Sequence, residues 1–237
     1  MRADPRIEWF AHRDQEAWIH AAAADMERIL AVELAIHGRA RMLLSGGTTP
    51  APAYAQVAVA PLDWSRVTVG LVDERWLSPQ DSASNARLVR ESLLDRADVG
   101  HFEPLVREGL TLAESVHAAN LEAGHAQDAC LAVLGMGNDG HTASLFPGSA
   151  DLERVLASDQ PYSALDASGC PVAGDWPLRI TLTPSGLART RHRLLLLRGQ
   201  AKLDVFERAL AGDDVREFPI RAALGTGIEP MRVHWCA

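Results

Sequence analysis

Apolar and polar positions along the chain follow two periods, one helical and one of short unbroken runs. From Asp14 to about His37, Ala17, Trp18, Ala21, Ala24, Ile29 and Leu30 recur at helical spacing, and Asp14 stands where an N-cap acceptor belongs. Ala40 to Leu44 is a short apolar run that stops at Ser45-Gly46-Gly47, as a buried strand stops in a turn. Val67 to Val72 and Cys130 to Leu134 repeat that pattern, and Ile180–Leu182, Leu194–Leu197 and Val233–Trp235 are shorter versions of it. Helices are predicted from Thr49 as N-cap and Pro50 as first residue, over Ser84–Leu94, over Thr111–Ala123 and over Gln200–Leu210. The stretch from Ser158 to Pro177, rich in Pro, Gly, Asp and Ser without a period, predicts a long loop.

Strands that alternate with helices argue for an α/β chain with a mainly parallel, doubly wound sheet, read as one domain over residues 1–237. In such sheets ligands sit beyond the carboxyl ends of the strands. Three polar, glycine-rich segments fall there: 45–49, 73–75 and 135–142.

Composition narrows the options. Apolar residues make up 47%, enough for a sizeable core. A net charge of −8 speaks against nucleic acid as the main partner; an anionic small molecule would then need a local pocket of Arg, Lys and backbone N–H groups. No apolar run approaches the length that crosses a bilayer, and MRADPRIEWF carries charges where a signal peptide is apolar, so a cytoplasmic protein is expected. Cys130, Cys170 and Cys236 are odd in number and far apart, which implies no disulfide framework. No H-x-x-x-H or C-x-x-C pair suggests a metal site.

Ser45-Gly46-Gly47-Thr48-Thr49, between a strand and a helix, has the make-up of a phosphate cradle, though an ordinary capped turn has it too. Asp73-Glu74-Arg75 places an arginine with neighbouring acids at a strand end, where it could clamp an anion or simply face solvent. Gly135-Met136-Gly137-Asn138-Asp139-Gly140 contains G-x-G-x-x-G, but dinucleotide binding needs an acidic residue at the end of a following strand, and here the chain enters the Pro/Gly-rich stretch, where no second strand is read. His141 follows directly, and imidazole is the side chain suited to a general base near neutrality. Arg179 opens the strand at 180–182. Lys202 lies in the first turn of a helix, where its charge opposes the dipole unless an anion is near.

Taken together these segments resemble the 6-phosphogluconolactonase family, from about Leu43 to Trp235. GMGNDGHTASLFPGS at 135–149 carries the resemblance most specifically, and SGGTTP at 45–50, DERWLS at 73–78, SN at 84–85 and RITLT at 179–183 stand in the expected order. Asn138 and the segment Gly174–Leu178 depart from the family's usual residues. The resemblance implies a Rossmann-like three-layer α/β/α sandwich shared with glucosamine-6-phosphate deaminase and ribose-5-phosphate isomerase. It implies hydrolysis of a sugar-phosphate lactone without a cofactor, by a monomer or weak homodimer. His141 would activate water with Asp139 alongside. Ser45, Gly46, Gly47, Thr48, Thr49, Arg179 and Lys202 would hold phosphate, and Asp73 and Arg75 would line the sugar. The related deaminases carry a glutamate five positions beyond the histidine; here that residue is Phe146. A non-catalytic sugar-phosphate sensor and a nicotinamide-dependent enzyme are the competing readings.

Overall fold

The computed structural model describes residues 4–226 and 229–237. Its strands are β1 (Ile7–His12), β2 (Ala40–Leu44), β3 (Val67–Leu71), β4 (Asp73–Arg75), β5 (His101–Glu103), β6 (Ala129–Leu134), β7 (Tyr162–Asp166), β8 (Leu178–Leu182), β9 (Thr190–Arg198) and β10 (Met231–Cys236). Its helices are α1 (Gln15–His37), α2 (Ala51–Val57), α3 (Asn85–Val89, prolonged by a π-helical turn over Arg90–Leu94), α4 (Leu112–His125), α5 (Leu152–Leu156), α6 (Pro184–Ala188), α7 (Gln200–Leu210) and α8 (Ile220–Leu224). None of these helices is long and apolar enough to cross a membrane.

Seven strands form one sheet in the order β1-β10-β9-β6-β2-β3-β5, and every pairing in it is parallel. The apolar runs of β2 and β6 are buried along their whole length, as befits central strands covered on both faces. From β2 the chain winds outward through β3 to β5, and from β6 it winds the other way to β9. The order therefore reverses between β2 and β6, and a crevice opens at their carboxyl ends. Three further strands, β4-β8-β7, form a small antiparallel sheet beside that crevice.

Local chemistry starts and stops the helices as the sequence suggests. Asp14 accepts from the Ala17 N–H at 2.8 Å, and Gly38 ends α1 in the left-handed region. Thr111 and Glu114 form a reciprocal capping box on α4. Three readings need correction. Helix α2 begins at Ala51, with Pro50 as its cap, so Thr49 does not cap it. The segment 158–177 is not only loop: it holds β7 and a single 3₁₀ turn at Pro171–Ala173, because five residues suffice for a strand once β8 lies alongside. Strands β1 and β5 are also unforeseen; β1 is an edge strand of mixed burial, and β5 is only three residues long.

Two buried ionic clusters lock the layers. Arg41 on β2 reaches Glu103 on β5 at 2.8 Å, passing over β3 where Gly70 leaves room; a Cβ there would lie 2.9 Å from the Glu103 carboxylate. Asp25 on α1 accepts from Arg232 on β10 at 2.7 and 2.9 Å and contacts His234 Nε2 at 2.8 Å. Burial pushes the Asp25 carboxyl up, but the bonds to His234 and Arg232 outweigh it and hold the carboxyl well below the usual aspartate range. A carboxyl depressed in the folded state adds stability in full above the unfolded aspartate value, about 4, and that stability is lost as pH falls toward the folded value.

Asp25→Asn should therefore destabilise the protein by about 3 kcal/mol at neutral pH, since it removes the buried anion on which Arg232 and His234 converge and leaves Arg232 only the exposed Glu8. Urea unfolding across pH checks this: the gap between wild type and variant should narrow steadily below about pH 4. A gap that stayed constant down to pH 2 would show that the charge of Asp25 is not what holds α1 to β10.

Candidate functional site

The crevice encloses about 230 Å³ of free space. It is lined by Ser45, Gly46, Gly47, Thr49 and Pro50 after β2, by Asp73 and Arg75 of β4, and by Asn85 at the start of α3. The loop after β6 contributes Gly135, Met136, Gly137, His141, Ala143 and Phe146, and Val172, Arg179 and Lys202 close the wall. Thr48 is exposed and does not line it, and Asp139 stands behind His141.

The loop after β6 is built to aim His141. Gly137 N–H donates to the His141 carbonyl at 2.9 Å and Gly140 N–H to the Gly137 carbonyl at 3.1 Å, folding the segment back on itself. Gly140 has φ +81°, which favours glycine, and a Cβ on it would meet Phe218 at 2.4 Å. The Asp139 carboxylate accepts the His141 backbone N–H at 3.2 Å and meets His141 Nδ1 at 2.6 Å. Burial pushes the Asp139 carboxyl up; the hydrogen bond and attraction of His141 outweigh it, and the carboxyl lies below its usual range. An ionised carboxylate can only accept, so Nδ1 carries the proton and the neutral ring keeps its lone pair on Nε2.

Beyond His141 the chain is tethered three times. Thr142 Oγ1 donates to the Gly135 carbonyl at 2.9 Å, Ser144 N–H to Thr181 Oγ1 at 3.0 Å, and Ser144 Oγ to Asp73 at 2.6 Å. Between these tethers Ala143 sits at φ 51°, a conformation that costs an L-residue roughly 1–2 kcal/mol. The ring of Phe146 lies 4.7 Å from that of His141, and the Arg179 guanidinium stands 5.4 Å from the same ring.

Arg75, Arg179 and Lys202 give the crevice its positive charge. The two arginines are register partners across the β4–β8 ladder. Arg75 donates to the Ala83 carbonyl at 2.7 Å, and Arg179 to the Trp176 and Ala173 carbonyls at 2.6 and 2.8 Å. Among the described residues these bonds to carbonyls replace pairing with carboxylates. Burial pushes the Arg179 pKa down, with Arg75 adding to the effect against the attraction of Asp73. Burial likewise pushes the Lys202 ammonium down, with Asp139 opposing. Ser45 Oγ and Arg75 Nε are buried without a hydrogen-bond partner among the described residues. A cleft with excess positive charge and unsatisfied polar atoms is suited to an anion with several oxygens.

Of the eleven candidate residues named from the sequence, nine line the crevice, Asp139 stands behind His141, and Thr48 lies outside the lining. The Glu74 carboxylate does not steady the Arg75 guanidinium. It accepts the backbone N–H groups of Arg75, Asn85 and Ala86 at 2.7, 2.9 and 2.7 Å and the Ser84 hydroxyl at 3.0 Å, so it binds the start of α3. Burial pushes its pKa up against those bonds. Asn85, noted only as part of a motif, lines the crevice and donates to the Asp73 carbonyl at 2.8 Å. Ser144 as the anchor of Asp73 and Val172 as a wall residue had no signal in the sequence, because both depend on contacts with the unforeseen antiparallel sheet. The strand after the G-x-G-x-x-G segment does exist, as β7, but it lies antiparallel in the small sheet, not beside β6, so no dinucleotide-binding βαβ unit is formed.

The family model described as glucosamine-6-phosphate isomerases/6-phosphogluconolactonase matches residues 13–235. A 6-phosphogluconolactonase of Xylella fastidiosa (strain 9a5c) is 55% identical over 234 residues, covering 99% of this chain and 98% of that protein. A crystal structure of a 6-phosphogluconolactonase from Shewanella baltica OS155 matches with a TM-score of 0.90 at 35% identity, over 98% of each chain. A monomeric glucosamine-6-phosphate deaminase matches with a TM-score of 0.79 at 19% identity, over 97% of each chain, a likeness of fold alone.

The dyad has a test of its own. A Cβ on Gly137 would lie 2.2 Å from His141 Nδ1 and 2.5 Å from Asp139 Oδ1. Gly137→Ala should therefore part the two side chains, and the Asp139 carboxyl, freed from His141, should titrate higher by carbon NMR. An Asp139 titration identical to wild type would mean that the backbone gives way and the dyad survives.

Proposed function

The chain belongs to the glucosamine-6-phosphate isomerase/6-phosphogluconolactonase family, and we propose that it hydrolyses 6-phospho-D-glucono-1,5-lactone to 6-phospho-D-gluconate in the pentose phosphate pathway, with His141 as general base. The observation that carries this reading is the Asp139–His141 pair opening on a cleft whose three cations form no direct ion pair among the described residues. The phosphate would take up the charge of Lys202 and Arg179 and the hydrogen-bonding capacity of Ser45, Gly46, Gly47 and Thr49. The sugar would extend along Asp73 and Arg75. Thr48 is exposed and not among the residues that line the cleft.

A lactone carbonyl is already electrophilic, so the protein's task is to orient the ring and ready a water molecule. His141 Nε2 takes a proton from water, and the resulting hydroxide attacks C1. The negative charge passes to the carbonyl oxygen, where cationic or N–H groups of the cleft stabilise it. On collapse the bond from C1 to the ring oxygen breaks, and the His141 imidazolium returns its proton to that oxygen. Water is consumed and a carboxylic acid and an alcohol are formed. Asp139 fixes the tautomer and steadies the imidazolium. Binding energy from the remote phosphate holds C1 against the water.

Phe146 supports hydrolysis over deamination. Between His141 and Arg179 it offers an apolar face, where a carboxylate would pair with the arginine and compete for the imidazole. The three cysteines are free and buried, which fits a cytoplasmic setting.

The assay generates the lactone with glucose-6-phosphate dehydrogenase and follows its loss above the spontaneous rate. His141→Asn should lower kcat by about 10²–10⁴ with little change in KM, because an amide hydrogen-bonds water but does not take its proton. A folded His141→Asn variant with near wild-type kcat would remove His141 from the mechanism.

Lys202→Ala should instead act on binding, raising KM about 10-fold or more, as expected for one charge-assisted contact to phosphate. Arg179→Ala should act in the same direction. Unchanged kinetics in both variants would show that the phosphate is held elsewhere.

A further inference from the structure

Lys202 enters the cleft from the first turn of α7, so the point where that turn begins decides where the ammonium sits. The turn begins at Gly199, with φ 87° and ψ 156°, a region almost confined to glycine. No side chain caps α7 at this position. The end of β10 holds it instead. Gly199 N–H donates to the Cys236 carbonyl at 2.9 Å, and the Gly199 carbonyl accepts from Trp235 Nε1–H at 3.2 Å as well as from Leu203 N–H at 3.4 Å. The Trp235 ring also stacks on Trp9 at 6.1 Å, and Trp9 stacks on Phe206 of α7 at 6.4 Å. The same tryptophan therefore ties down both the first peptide of α7 and, through Trp9, the buried face of that helix.

We infer that Trp235 is a positioning residue for Lys202: its indole N–H fixes the Gly199 peptide and so sets the height of the ammonium in the cleft. The inference rests on reading Lys202 as a phosphate ligand. Trp235 itself does not line the cleft, so whatever it contributes to binding passes through the start of α7. An indole that only filled the core would affect stability and leave the lysine's contribution to binding unchanged.

The test is a double-mutant cycle on KM for the lactone and on the inhibition constant of inorganic phosphate. Trp235→Phe keeps an aromatic ring against Trp9 and removes the N–H. It should raise KM about 3- to 10-fold, with kcat within about twofold, as one misplaced hydrogen-bonded contact would. In a Lys202→Met background the same change should raise KM no further, because there is no ammonium left to misplace. Should Trp235→Phe fail to fold, site-specific replacement of Trp235 by its benzothienyl isostere removes the N–H without altering the shape. Three outcomes overturn the inference, and they differ from one another. If Lys202→Met raises KM and Trp235→Phe does not, the lysine binds phosphate without help from Trp235. If Trp235→Phe adds its full factor on top of Lys202→Met, its effect does not pass through the lysine. If Lys202→Met leaves both constants unchanged, the phosphate assignment itself falls, and this inference falls with it.

Discussion

Holding three cations around one cleft with no direct ion pair among the described residues is the constraint on which the rest of the structure depends. Arg179 is almost wholly buried and its register partner Arg75 carries the same charge, so the pair is repulsive and poorly solvated. Backbone carbonyls meet part of that cost, and they are well placed for it because they are polar without being anionic. The small antiparallel sheet supplies the rigidity: β8 carries Arg179, β4 carries Arg75, and β7 closes the other side. The core must therefore be stable enough to tolerate a destabilised rim, and the two buried ionic clusters at Arg41–Glu103 and Asp25–Arg232–His234 lie away from the cleft, where they do not neutralise it.

The histidine loop solves a different problem, the aim of a single ring nitrogen. Gly137 makes space for the dyad, Gly140 turns the chain, and Ala143 accepts an unfavourable backbone conformation between two tethered residues. Ser144 links this loop to Asp73 and so to the wall that carries Arg75. The position of the imidazole and the position of the wall that carries Arg75 are thus coupled through one serine hydroxyl, and neither side is set by local sequence alone.

Much of this was legible in the sequence, and the unread part shares one cause. The long helix α1 is fixed by periodicity and capping over a few residues, and the buried runs of β2, β3 and β6 and the helix bearing Lys202 by periodicity, so they can be read locally. His141, Asp139, Arg75, Arg179 and Lys202 were visible as polar groups at strand ends and helix starts, and the family resemblance gathered them into one reading. What escaped was set by pairing between distant segments. Strand β7 has five residues among turn formers and exists because β8 is beside it; β5 has three residues and exists because β3 is. The contribution of Asn85 to the wall and the capping of α3 by Glu74 follow from that same long-range geometry.

Strand β1 pairs along its whole length with β10, from Ile7 beside Met231 to His12 beside Cys236. The first of the described strands is thus completed by the last of them. During synthesis β1, with Ile7, Trp9 and Phe10 on it, waits unpaired until β10, which follows all the other described strands, has been made, and so sequence-distant a partner makes this the slowest kind of contact to close. The order of translation leaves that edge open to other chains for longer than any other part of the sheet, and crowded nascent chains are where this fold is most exposed to mispairing.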